Sequence, residues 1–575
     1  MVKPLKLLKG VNPKTKYIDK RLHILLLLFI CSPLIFACKS SLFYVVDPTQ
    51  TFQTLQPEPL FPTAEIVKPY PTPIDPLPTQ DNPIQPTDPP FEPIITRPPQ
   101  SSTSESTLGT STNIKKTQPP PTLYYSQAGD TLESVAVRYN VDYDEISSPE
   151  EIPEKSQLIK PDQLLIIPNR LDNVGPQDQV LPDSEIVFSP SAVDFDVEAF
   201  VRESGGYLIQ YKEWRTNGWH SGTQVIERVA IENSINPRLL LALVEYQSHW
   251  VYGQPTNMSE TEYPIGWRNF HDKGLYKQLS WTVQQLSIGY YRWRAGLITE
   301  IEFPNKETIR LAPNLNAGSV ALQYLFSRLY NQREWGGVLY APDSMPVLYE
   351  QMFGNPWLRA ESVEPLYPTY LTQPNLELPF QKNHLWSYTG GPHSAWGPDG
   401  ALAALDFAPA SIDHGCAKSN AWVTASAAGL VTRSDNGVVV LDLDGDGYEQ
   451  TGWSLLYLHI SDEGRIPLGS WVEQDDPIGH PSCQGGTATG THVHMARKYN
   501  GEWILADGPV PFVLSGWRAH YGGKLYIGTL TKGDLTCISS TVGSFESRIQ
   551  RNSDKGAQAV PTPTLKTTSI ETSNE

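Results

Sequence analysis

The sequence predicts a multidomain α+β protein: a small βααβ module, an all-α region and a mainly antiparallel-β domain. Three observations lead there. Prolines are concentrated in one stretch, with 19 among the 75 residues of 47–121. A helical period runs through residues 197–360. Short Val-, Leu- and Tyr-rich runs broken by Gly, Asp and Pro then fill 376–530, the pattern of many strands. At roughly 100–200 residues per domain, a chain of 575 residues accommodates these units beside an unfolded stretch. With 62 acidic against 44 basic residues the net charge is −18, which excludes the basic footprint of a nucleic-acid binder. Five cysteines are too few for a disulfide-built scaffold.

Residues 1–21 hold seven Lys/Arg and one Asp, and an apolar run, 22–37, follows before Cys38. A basic segment, a short apolar core and a small residue before a cut are the grammar of an export signal, here 1–37. The run contains Pro33 and falls short of the ~20 residues a helix needs to cross a bilayer. Ile35-Phe36-Ala37-Cys38 resembles a bacterial lipobox, which implies that Cys38 is lipidated and becomes the first residue after cleavage. An uncleaved membrane anchor is the alternative. Either way the remainder of the chain is exported and held to a membrane on its extracytoplasmic side, in the cell envelope. Residues 38–121 then read as a disordered proline-rich tether, with too little apolar surface to offset the entropy of ordering it.

Segment 122–169 reads strand–helix–helix–strand. Asp130 is placed to cap a helix whose Leu132, Val135, Ala136 and Tyr139 share one face, with Glu133 three residues on. Tyr125, the run Gly129-Asp130-Thr131-Leu132, Val135-Ala136 and Ile166-Ile167-Pro168 resemble a LysM module. LysM modules bind N-acetylglucosamine glycans, so the resemblance implies a groove lined by Gly129, Asp130, Thr131, Leu158 and Ile159. Asp162 stands where that family usually has Gly, and a purely structural module is the competing reading. A short polar linker, 170–196, follows.

Within 197–360, Leu240, Leu243, Val244 and Gln247 recur at i, i+3, i+4 and i+7 on one helical stripe. The string from Ala242 to Trp250 resembles the first motif of lytic transglycosylases, and Asn316-Ala317-Gly318 with Tyr324-Leu325 resembles another of their helices. A lysozyme-like fold is implied. In that family the residue before the serine is the catalytic glutamate; here Gln247 precedes Ser248 and cannot protonate a glycosidic oxygen. Glu245 lies roughly 200° around the helix from it. The region therefore reads as a spacer or glycan cradle, with a plain helical bundle as the alternative.

The chemistry is concentrated between 388 and 495. His393 follows Gly390-Gly391-Pro392, Asp406 sits in Ala403-Ala404-Leu405-Asp406, His459 ends a strand-like run, and His492-Val493-His494 follows a Gly/Thr-rich loop. Residues two apart on a strand face one side, so His492 and His494 point into one cleft. Imidazoles with one carboxylate suit Zn²⁺, and three protein ligands leave a position for water, whose pKa falls to ~7. These motifs resemble the M23 zinc endopeptidases of the LytM type, which cut peptide crosslinks in peptidoglycan. The resemblance implies His393, Asp406 and His494 as zinc ligands, His492 as general base and His459 as the second catalytic histidine. The family commonly spaces its first His four residues before the Asp. Here the gap is thirteen, which leaves an insertion through 394–401 or a substitute ligand, His384 or His414.

Asp442, Asp444 and Asp446 alternate as in the start of a Ca²⁺ loop, but Trp453 stands at the twelfth position where an EF-hand needs Glu. A glycine-rich hairpin turn is the competing reading. Cys416 and Cys483 flank the metal motifs in a compartment that permits disulfides, and are read as bridged. Residues 541–575 are Ser/Thr/Asn/Pro-rich and read as a disordered tail. Together these features predict a membrane-anchored, zinc-dependent endopeptidase whose partners are peptidoglycan and the membrane. A non-catalytic wall-binding scaffold that activates another hydrolase is the rival.

Overall fold

The computed structural model describes residues 119–552, apart from Asn217, Thr369 and Ile412. The expected export signal (1–37), the lipidated Cys38, most of the tether and the end of the expected tail lie outside the described residues. Among the described residues no helix is long and apolar enough to cross a membrane.

In the N-terminal module, β1 (Thr122–Tyr125) pairs antiparallel with β2 (Leu164–Ile167), and α1 (Leu132–Tyr139) connects them. Thr131, rather than Asp130, caps α1: its hydroxyl accepts the Ser134 N–H while the Ser134 hydroxyl accepts the Thr131 N–H. Asp130 is buried instead, accepting from Tyr124 Oη at 2.6 Å and pairing with Arg138 at 2.6 Å. The expected second helix is a single 3₁₀ turn, Tyr143–Glu145, and Pro149 and Pro153 keep the following loop from continuing it. Asp162 takes φ +64°, the left-handed conformation that favours glycine.

Residues 170–196 are not the free polar linker the sequence predicts. Asp183–Glu185 and Pro190–Ala192 form 3₁₀ turns, and Leu181, Ile186 and Val187 are buried in the core of the helical region. Glu364 accepts the Ser184 N–H at 2.7 Å. Burial and the neighbouring Asp183 carboxylate push the Glu364 carboxyl up to about 7. Its folded pKa thus lies above its unfolded value. The folded state holds a proton the unfolded chain has lost, so stability falls as pH rises from about 4.5 to about 7. Glu364→Gln is expected to flatten that loss, recovering up to about 3 kcal/mol at pH 8 and little at pH 4.5. Urea unfolding of both proteins at the two pH values measures it.

The helical region comprises α2 (Val197–Ser204), α3 (Gly222–Asn233), α4 (Pro237–Ser248), α5 (Met258–Glu262) and α6 (Leu275–Arg294). After these come α7 (Ala317–Ser327), α8 (Gln332–Tyr340), α9 (Met345–Phe353) and α10 (Pro356–Ala360). It is not all-α: β3 (Lys212–Arg215) and β4 (Gly218–Ser221) form one hairpin, and β5 (Glu300–Glu302) and β6 (Thr308–Arg310) another. Pro237 at the first turn of α4, with Asn236 capping it, starts a helix whose residues from Leu239 to Val244 are all buried.

The C-terminal domain begins with β7 (Leu385–His393), β8 (Ala404–Pro409), β9 (Val423–Thr424), β10 (Gly429–Asp435) and β11 (Val438–Asp442). It continues through β12 (Trp453–Leu458), β13 (Trp471–Val472), β14 (Pro477–Gly479), β15 (Val493–Tyr499) and β16 (Glu502–Trp503). A second sheet holds β17 (Val513–Leu514), β18 (Trp517–Tyr521), β19 (Gly528–Lys532) and β20 (Leu535–Ile538), and β21 (Arg548–Gln550) returns to pair with β7. The main sheet runs β13-β10-β11-β12-β15-β8-β7-β21, antiparallel throughout, with β16 beside β15. The domain therefore passes the expected end at 530, and residues 541–552 belong to it rather than to a disordered tail, because Ile549 is buried on β7.

Strand alternation gives this sheet two buried faces. Val439, Leu441, Leu455, Tyr457, Val493 and Met495 fill the domain's own core, whereas Val438, Val440, Leu456, Ala404 and Ala496 join the core of the helical region. By the same alternation Asp406 and His494 share the face on which the helices pack.

Candidate metal centre

Register brings the ligands together before any side chain is considered. His494 on β15 lies opposite Asp406 on β8 and opposite Leu458 on β12, whose next residue is His459. On β7, Gly390 lies opposite Asp406, and a Cβ there would fall 2.4 Å from Asp406 Oδ2, so only glycine leaves room for the carboxylate.

Three donor atoms converge. His393 Nε2 lies 3.0 Å from His494 Nδ1 and 3.3 Å from Asp406 Oδ1, and His494 Nδ1 lies 3.2 Å from Asp406 Oδ1. Ligand atoms on a tetrahedral ion at about 2.0–2.1 Å stand about 3.3 Å apart, so the spacing fits Zn²⁺. Each imidazole is oriented by its other nitrogen: His393 Nδ1–H donates to Gly391 O at 2.8 Å, and His494 Nε2–H donates to Ala395 O at 3.0 Å. Asp406 Oδ1 is buried without a hydrogen-bond donor, as a ligand oxygen kept for a cation would be. Burial alone would raise the Asp406 carboxyl, but His393 and His494 outweigh it and hold it well below the usual carboxylate range.

His492 and His459 stand beside this triangle, their rings 4.5 Å apart. His492 Nδ1–H donates to Gly490 O at 2.7 Å and His459 Nδ1–H to Gln484 O at 2.7 Å, which leaves both Nε2 lone pairs free for protons. Burial, with His492 and His494 close by, pushes His459 down to about 4. His384 is exposed and bonded to Lys382 O, and neither it nor His414 joins the cluster. The residues of the thirteen-residue gap are built into the fold: the Ala395 carbonyl orients His494, Asp399 pairs with Arg292 of α6 at 2.8 Å, and Ala401 is buried among the helices. Sequence reasoning missed Tyr526. Its ring stacks on His393 at 4.2 Å and its carbonyl accepts the Gly391 N–H at 2.8 Å, yet it arrives from a hairpin far along the chain with no motif around it.

Cys416 and Cys483 are bridged, with Cα atoms 5.6 Å apart. Thr491 N–H donates to Gly415 O at 3.0 Å, so the bridge steadies the loop that ends in His492. Cys537 is free and buried. A form lacking residues 1–38 is thus expected to yield one thiol per chain when denatured without reductant, and three after reduction, by Ellman titration. Reduction is expected to cost about 2–4 kcal/mol of stability.

The Ca²⁺ reading of Asp442, Asp444 and Asp446 is not sustained. Their carboxylates are close, but those of Asp442 accept the backbone N–H groups of Asp444, Gly445 and Gly447, closing the turn from β11 to β12. In the helical region Gln247 accepts from Tyr330 Oη at 2.8 Å, and Glu245 accepts the Val251 and Tyr252 N–H groups, a structural duty. Gly129, Asp130, Thr131 and Ile159 are buried and Leu158 half-buried; the chain's own residues cover the expected glycan groove.

Residues 179–366 match the family described as LasA, N-terminal domain, where a lysozyme-like fold was expected. Protease LasA of Pseudomonas aeruginosa is 24% identical over 352 residues, covering 57% of this chain and 75% of that protein. The beta-lytic metalloendopeptidase of Achromobacter lyticus is 29% identical over 159 residues, 26% of this chain and 39% of that protein. The similarity is to proteases. Among solved structures, the M23 metalloprotease pseudoalterin is 22% identical with a TM-score of 0.25, covering 29% of this chain and 96% of its own.

Proposed function

We propose that this chain is an exported peptidoglycan hydrolase, a zinc-dependent endopeptidase that cuts stem-peptide crosslinks. The observation that carries it is the convergence of His393 Nε2, Asp406 Oδ1 and His494 Nδ1 beside two histidines with free Nε2 atoms. His393, Asp406 and His494 would hold a zinc ion, which would supply Lewis acidity and lower the pKa of a nucleophilic water toward neutrality. His492 is the general base: its fixed tautomer presents Nε2 to take that proton and return it to the leaving amine. His459, fixed in the same tautomer beside it, steadies the charge that develops on the scissile carbonyl. Tyr526 and the Ala395 carbonyl hold His393 and His494 in place. Lipid on Cys38 tethers the enzyme to the membrane through the proline-rich segment, and the LysM-like module contributes glycan binding.

Isolated peptidoglycan given to the secreted chain, with and without a zinc chelator, tests this. Release of new amino groups without new reducing ends, abolished by chelation and restored by zinc, is the expected result. No release from a protein that also lacks zinc by elemental analysis would return the reading to a non-catalytic scaffold.

A further inference from the structure

The groove implied by the LysM resemblance is closed by the molecule itself. A Cβ on Gly129 would fall 2.6 Å from the Arg294 guanidinium and 3.1 Å from the Tyr367 ring. Leu158 packs into a cluster with Tyr367, Ile504 and Val510 of the neighbouring domains, leaving a space of about 150 Å³. Ligand pockets usually span ~300–1,000 Å³, so this remnant is too small for a sugar chain.

A larger space lies beside β1. There a cleft of about 850 Å³ separates β1 from the helical region. Tyr125 and Trp357, 61% and 38% exposed, line its walls. Gln127 and Asn314 line it; Gln127 Nε2 donates to the Asn314 backbone carbonyl at 2.9 Å and Asn314 Nδ2 to the Gln177 carbonyl at 3.1 Å, which leaves their side-chain amide oxygens as acceptors. Charged residues around it, Asp162, Asp172 and Asp183 against Arg170 and Arg294, leave no positive field to draw an anion, and Arg294 is already paired with Asp183. Amides with exposed aromatic rings and no net positive charge suit a neutral ligand rich in hydroxyl and acetamido groups.

We infer that this composite cleft between the module and the helical region is the glycan-binding site, and that it takes a neutral N-acetylated oligosaccharide. The inference rests on the peptidoglycan reading but not on catalysis. Calorimetric titration of chitotetraose into the full exported chain carrying His494→Ala tests it with hydrolysis removed. Binding is expected, weakened about tenfold or more by Trp357→Ala and by Tyr125→Ala. Leu158→Ala, in the closed groove, should leave affinity within about twofold. Tyr125 is mostly exposed, so unchanged thermal melting of its variant is also expected. No heat of binding, binding indifferent to both cleft variants, or binding lost only with Leu158→Ala would overturn the assignment. Preference for a sugar-free stem peptide in the same cleft would overturn the glycan class. Failure of the peptidase reading shows separately, as missing zinc and missing amine release in the chain with His494 intact.

Discussion

His494→Ala is expected to lose both stoichiometric zinc and all measurable peptide-bond hydrolysis. The substitution removes the Nδ1 donor 3.0 Å from His393 and 3.2 Å from Asp406, and leaves the Ala395 carbonyl without its N–H partner. Two remaining donors do not make a zinc site of the three-ligand type. His492→Ala separates binding from chemistry. Its Nε2 lies 3.8 Å from Asp406 Oδ1, outside the triangle, so zinc should stay at one per chain while the rate falls about 10²–10⁴-fold. Elemental analysis and amine release on the same preparations check both. Full activity in the His494 variant would place the metal on other residues, and loss of zinc in the His492 variant would make that histidine a ligand.

The grouping of His393, Asp406 and His494 was largely legible because its signals are local or strand-periodic. His492 and His494 share a face by alternation, whereas Gly390-Gly391-Pro392, which suggests a turn before His393, lies inside β7, where the register shifts at Gly390. The thirteen-residue gap was visible as an anomaly, but not its reason, since residues 394–401 dock on α6, far away in sequence. The hairpin of β3 and β4 did carry a signal, the dipeptide Asn217-Gly218 between short runs, outweighed by the helical period on either side. Burial of the module's groove had none. Gly129, Asp130 and Thr131 look the same in sequence whether a sugar or Tyr367 lies against them, because packing between domains is decided by complementarity and not by local pattern. Likewise β21 is three residues long, too short for a period to show in a Ser-rich stretch.

The second large effect is expected at Arg294, the last residue of α6, where all three folded segments meet. Its guanidinium pairs with Asp183 at 2.8 Å and with Glu502 of the C-terminal domain at 3.2 Å, and lies against Gly129 of the N-terminal module. Tyr290 Oη donates to Glu502 at 2.9 Å, and arginine and both carboxylates are buried. Arg294→Met keeps most of the volume but removes the cation paired with two buried carboxylates, and breaking a buried pair in this way costs about 3–5 kcal/mol. If the arginine serves mainly to neutralise Glu502, then Glu502→Gln in the Arg294→Met background should recover part of that loss, giving a coupling energy of about 1–3 kcal/mol in a double-mutant cycle. Denaturant unfolding of the four proteins measures it. The zinc content of Arg294→Met should hold, because the residue touches no ligand. A loss below about 1 kcal/mol would mean that water reaches the carboxylates once the guanidinium is gone, and that the junction is held by Leu158, Tyr367, Ile504 and Val510 instead.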